Sequence, residues 1–205
     1  MKNLRARIAA LIFTTVRTVG KQPWVAPVFT RVHRLLPLEY VEKTEHAIAI
    51  KHPRAGWPGH VVITPVTVCR GLLSQREPLK NRGFNMWQIY LLAREVAAQQ
   101  PEEERGRVLI INGGRRQEIG QIHGHLAPSP EAANFPSNVL EAMEEGVDER
   151  RFYNVEASPE GFTDWLRDLE AIAPTWLAND RGFAVLIPIE EGVLPHVKIT
   201  IDCDI

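Results

Sequence analysis

The chain has 205 residues, of which 44% are hydrophobic and 24% charged, and its formal net charge is -1. That size and composition fit one large folded domain or two small ones with a real core, and exclude wholesale disorder. Two cysteines, Cys69 and Cys203, make no disulfide framework and match no zinc-ligand spacing, so a reducing, cytoplasmic setting is expected.

Residues 1–38 form a first segment with its own character. It holds Lys2, Arg5, Arg7, Arg17, Lys21, Arg31 and Arg34, and no acidic residue precedes Glu39. Leu4, Ile8, Leu11, Ile12, Thr15 and Val19 recur at helical spacing, which predicts a basic amphipathic helix. The apolar run Ile8–Phe13 is too short to cross a bilayer. Such a helix lies on an anionic membrane surface, or docks on its own domain or on a second subunit. A homodimer is thus one expectation and peripheral membrane association another. A short second helix is predicted over Val28–Leu36.

Residues 39–130 carry the predicted core. Thr44–Ile50 and His60–Pro65 read as a hairpin around a Pro/Gly-rich turn. Phe84–Gln99 reads as a helix with Met86, Trp87, Tyr90, Leu91 and Val96 on its apolar side, and Pro101 follows its end. Arg107–Ile111 is a buried-type strand, followed by a Gly/Arg-rich loop from Asn112. If Gln121–Leu126 is extended, Gln121, His123 and His125 project from one face, because side chains alternate along a strand.

Residues 131–205 form a C-terminal extension, packed on the core sheet or duplicating part of it. A loop from Pro128 to Asn138 leads to an acidic, weakly helical stretch, Leu140–Arg151. A helix is predicted over Phe162–Leu177, then strands over Gly182–Ile189 and His196–Asp202. The last hairpin echoes the first in sequence, which suggests an internal duplication. The fold expected from these elements is α+β, with a mainly antiparallel sheet of about five strands and helices on one face.

Two imidazoles and a carboxamide beside a loop with Asn112, Arg115 and Arg116 suit an anion such as a phosphate ester. Pro58-Gly59-His60-Val61-Val62-Ile63-Thr64-Pro65, then Asn112-Gly113-Gly114, then Gln121-Ile122-His123-Gly124-His125 occur in the order seen in the histidine-triad (HIT) superfamily. The resemblance covers about Thr44 to Pro128. It implies a HIT-like fold and an enzyme that cleaves or transfers a nucleotidyl group from a phosphoanhydride through a covalent nucleotidyl-histidine, with no metal or other cofactor. His123 and His125 would be catalytic; Gln121, Asn112, His60, Arg115 and Arg116 would hold substrate or phosphate.

The pattern departs from His-x-His-x-His. In one register His123 and His125 are the first two members and Ala127 takes the third place. In the other the three members are Gln121, His123 and His125. The nucleophile, the middle member, is His125 in the first and His123 in the second. The Gln-x-His-x-His order resembles CDP-diacylglycerol pyrophosphatase, and branches related to diadenosine tetraphosphate phosphorylase also use Gln in the triad. Ile50 stands near where many members have a ribose-binding Asp, which argues against the usual purine nucleotide. The partners implied are a nucleotide or nucleotide-linked small molecule, with a lipid-linked pyrophosphate as an alternative and no nucleic acid. A non-catalytic nucleotide-binding or interaction protein on the same fold is the other reading.

Overall fold

The computed structural model describes residues 11, 14–15, 19–20, 22, 24–52, 56–114, 116–117, 119–128, 152–172, 182–189 and 196–201. The helices whose bounds fall among the described residues are α1 (Val25–Val32), α2 (Leu79–Gln99) and α3 (Pro159–Ile172), with a 3-10 turn at His33–Leu35 after α1; Leu11, Thr14, Thr15 and Val19 are helical too. Its strands are β1 (Tyr40–Lys43), β2 (Ala47–Lys51), β3 (Val61–Pro65), β4 (Val108–Gly114), β5 (Gly124–Ala127), β6 (Phe152–Asn154), β7 (Gly182–Pro188) and β8 (His196–Ile201). The predicted helix over Leu4–Val19 falls mostly outside the described residues, as do Leu140–Arg151 and the end of the predicted Phe162–Leu177 helix.

The fold is α+β, and the strands form one antiparallel sheet in the order β1-β2-β3-β5-β4-β7-β8-β6. The sheet is wider than the five strands expected. β1 and β6 are short edge strands that the sequence pattern does not announce, and β7 and β8 belong to the same sheet as the core. One face of the sheet carries α2 and α3. Ala49, Ile63, Leu109, Ile111, Leu126, Phe183, Val185 and Ile187 from the strands bury together with Ile89, Tyr90 and Val96 of α2 and with Phe162, Leu166 and Leu169 of α3. The amphipathic spacing of both helices finds its partner there.

β4 is longer than expected, because Asn112, Gly113 and Gly114 pair with Ala184, Phe183 and Gly182 of β7 instead of entering a loop. α2 begins at Leu79, five residues before the expected start. Gly83 falls within this added turn, and a Cβ there would meet backbone atoms of Thr163 at 2.7 and 2.8 Å. The glycine is where α2 and α3 touch.

The strand order is palindromic about the β4–β7 pair. Outward from β4 come β5 and β3; outward from β7 come β8 and β6. Chain order is also the same on both sides, β3-α2-β4-β5 and β6-α3-β7-β8. The last hairpin therefore corresponds to β4–β5, and the sequence echo between it and the β2–β3 hairpin reflects shared Val and Ile content. Leu109 pairs with Leu126 and Ile110 with His125; at the corresponding places Phe183 pairs with Ile201 and Ala184 with Thr200. Thr200 and Lys198 thus occupy the register positions of His125 and His123. The paired imidazoles belong to one half alone.

Candidate functional site: a histidine cluster on the open face

His125 pairs with Val62 on one side and Ile110 on the other, so it stands on the sheet face opposite α2 and α3. Gly124 points the other way, and a Cβ there would meet Leu109 Cδ1 at 2.5 Å. Glycine at this place lets the imidazole strand lie close against the core. β5 is assigned only from Gly124, so Gln121 and His123 precede it. The two rings still share a side: the centroids of His123 and His125 are 5.0 Å apart in an edge-to-face pair. Ile111 pairs with Gly124, so Asn112 and His123 are the next residues along the two strands.

His60 reaches this cluster from the residue before β3. The β2–β3 turn folds back over the sheet, and Trp57 anchors it with an indole N–H donated to Leu126 O at 2.9 Å. Trp57 also packs on the small apolar cluster of Val108, Ile110, Ala127, Ala184 and Leu186. Gly59 turns the chain with φ of 68°, and a Cβ there would meet Glu104 O at 2.6 Å. His60 then stacks on Trp57 with centroids 3.7 Å apart and on His52 at 4.4 Å. Two rings stacked that closely cannot share one face, so His60 is held between them.

Hydrogen-bond partners fix the tautomers of this cluster. A backbone N–H can only donate, and that of Gly56 reaches His60 Nδ1 at 3.2 Å. The neutral His60 ring therefore carries its proton on Nε2 and donates to His125 Nδ1 at 3.0 Å. His125 in turn carries its proton on Nε2. A carbonyl can only accept, and Gln121 O lies 2.9 Å from His123 Nδ1. His123 thus has its proton on Nδ1 and its basic lone pair on Nε2.

Burial keeps both inner rings neutral. His60 is pulled down to about 3 by desolvation, and next by the neighbouring His52. His125 is held well below the usual imidazole range by desolvation, then by His123, His60 and His52.

The other expected residues separate. Gln121 is buried, and its carboxamide serves the main chain. Oε1 accepts from Cys69 N–H at 3.2 Å, and Nε2 donates to Pro65 O at 3.2 Å and Thr67 O at 2.8 Å. That places its amide as a clasp on the segment after β3, where a phosphate oxygen would have to displace a backbone partner. Asn112 is half-buried on β4. Arg116 is half-buried, and its N–H bonds Gly113 O. Arg115 lies outside the described residues. His52 and Trp57 join the cluster as well: His52 stands across the hairpin from His60, one step past the Lys51–Val61 pair, with its N–H on His60 O at 3.0 Å, and Trp57 comes in through the fold-back of the turn. Cys69 is fully buried, with its thiol pushed up to about 12 by burial and then by Glu77, so it is inert here. Among the described residues no group of His, Cys, Asp and Glu is placed to hold a metal ion.

No family model matches the chain, and no curated protein matches it. Among solved structures, a hypothetical protein from Leishmania major is similar over 58% of this chain and 96% of its own, at 17% identity and a TM-score of 0.38.

Proposed function

We propose that the protein is a HIT-like nucleotidyl hydrolase or transferase that acts on a phosphoanhydride, with His123 as nucleophile. The observation that carries this reading is the opposed tautomers of the two rings. His123 Nδ1 gives its proton to Gln121 O, which leaves the Nε2 lone pair as the nucleophilic one. His125 has its Nδ1 lone pair engaged by His60 and offers Nε2–H as a donor. This favours the register with Gln121, His123 and His125 as the three members.

In the first step a bond forms from His123 Nε2 to phosphorus, and the phosphoanhydride P–O bond breaks with its electron pair on the leaving phosphate. The adduct is an imidazolium whose Nδ1–H keeps its bond to Gln121 O. In the second step water or an acceptor hydroxyl attacks phosphorus, the P–N pair returns to Nε2, and the attacking oxygen loses its proton to solvent. His125, held neutral, supplies a hydrogen bond to a non-bridging oxygen as charge builds there. Asn112, one register step along the sheet, is the second donor for the same phosphoryl group.

Single-turnover reaction with an α-phosphorus-labelled nucleotide tests this. His123→Ala should abolish covalent labelling, while His125→Ala should label about 10²–10³-fold more slowly. Labelling that survives His123→Ala would refute the assignment.

A lipid-linked pyrophosphate is the second reading. Gly120 N–H donates to Gly20 O at 2.6 Å, which ties the basic N-terminal segment to the stretch leading into His123. Among the described residues no helix is long and apolar enough to cross a membrane.

A further inference from the structure

α1 has two apolar sides. One is buried: Val25 and Ala26 are core residues, and His33 after the helix is buried too. The opposite side is not covered. Trp24 is 53% exposed, Val28 43% and Leu35 84%. Helical spacing of four and three residues aligns Trp24 at the N-cap with Val28 and Arg31 on one side of α1, and Arg34 and Leu35 follow in the 3-10 turn after it. Arg31 and Arg34 are also exposed. A helix with a core-facing stripe needs only one apolar side. The second apolar side, with a large indole at its start, stays open to solvent.

We infer that this outer stripe of α1 is a docking surface for an anionic lipid bilayer. Charge selects the occupant. Seven basic residues and no acidic one precede Glu39, while the rest of the chain is acidic enough to bring the total to -1. An anionic headgroup layer meets Arg31 and Arg34, while Val28 and Leu35 enter the acyl boundary. An indole at the stripe's end suits the interface, where its ring is buried and its N–H stays wet. The Gly120–Gly20 hydrogen bond ties the chain before α1 to the stretch leading into His123. The surface stands apart from the chemistry at His123, so lipid binding and nucleotidyl labelling fail or succeed separately.

The test is co-sedimentation of the full chain with vesicles of phosphatidylcholine alone or mixed with phosphatidylserine, across salt concentration. Binding should require phosphatidylserine and weaken as salt rises. Val28→Glu/Leu35→Glu and Arg31→Glu/Arg34→Glu should each lower the partition coefficient at least about ten-fold. All four side chains are exposed, so circular dichroism and the melting temperature should match the wild type. Tryptophan emission should shift to the blue on adding anionic vesicles, and Trp24→Phe should remove most of that shift. Wild-type protein left in the supernatant would overturn the inference, as would variants that bind as well as wild type. A concentration-dependent dimer that Val28→Glu/Leu35→Glu dissociates would overturn it too, by assigning the stripe to a second copy of the chain.

Discussion

His60 Nε2 stands 3.0 Å from His125 Nδ1, and this contact sets the tautomers of both rings. Gly56 N–H on the far nitrogen of His60 decides the direction of donation. The β2–β3 turn thereby governs which nitrogen of His125 carries the proton.

His60→Gln is the conservative probe of that contact, since a Gln amide places a donor near the position of the imidazole Nε2. It should keep covalent labelling within about ten-fold of wild type. His60→Ala frees His125 to take either tautomer and removes the ring between Trp57 and His52. It should slow labelling by about 10²-fold. Equal rates in the two variants would show that the direction of donation does not matter.

Acid should unfold the protein through the same pair. His60 titrates near 3 in the folded state and His125 well below the ordinary value, whereas both take up protons near 6.5 when unfolded. The unfolded chain therefore binds more protons between those limits. The stabilisation is fully present above pH 6.5 and is lost as pH falls toward the folded values. Each ring adds a slope of about 1.4 kcal/mol per pH unit once well below 6.5. Urea midpoints from pH 8 to pH 4 measure it, and His60→Gln should flatten the curve by close to one proton. An unchanged slope in that variant would contradict the buried neutral His60.

Gln121 separates a structural amide from a phosphate ligand. Its carboxamide makes three hydrogen bonds to the segment Pro65–Cys69, and Gln121→Ala leaves buried backbone groups without them. The loss should be about 2–4 kcal/mol in chemical denaturation. A variant as stable as wild type but inactive would instead mark Gln121 as a substrate ligand.

The readable parts of this chain were those that local pattern decides. Val61–Pro65 and Val108–Ile111 are dense in β-branched residues, Gly182–Pro188 is apolar throughout, and each is a strand. His123 and His125 share a side as two-residue spacing implies. What was not legible depends on remote partners. Tyr40–Lys43 ends in two adjacent charges and is a strand only because β2 pairs with it. Gly83 fits inside a helix only because Thr163 lies against it. His52 meets His60 only through the register of the β2–β3 hairpin, which pairs Lys51 with Val61 and so sets the two rings side by side. Gln121 is polar in sequence, yet its partners are backbone groups more than 50 residues away.

The joint between α2 and α3 gives the last prediction. Arg82 is almost fully buried; its guanidinium donates to Leu72 O and to Glu170 Oε1 of α3. The Glu170 side chain is 25% exposed, so the two charges are not equally desolvated. Removing Glu170 strands a buried cation, whereas removing Arg82 leaves a carboxylate that can turn toward water. Glu170→Ala should therefore destabilise by about 3–5 kcal/mol, and Arg82→Met by less. The double variant Arg82→Met/Glu170→Ala should recover part of the loss, because an uncharged side chain then fills the space between the helices. Thermal and urea unfolding of the three variants measure the cycle. If Glu170→Ala costs no more than Arg82→Met, the pair is better solvated than its burial implies, and the helix joint rests on packing at Gly83 and Thr163 instead.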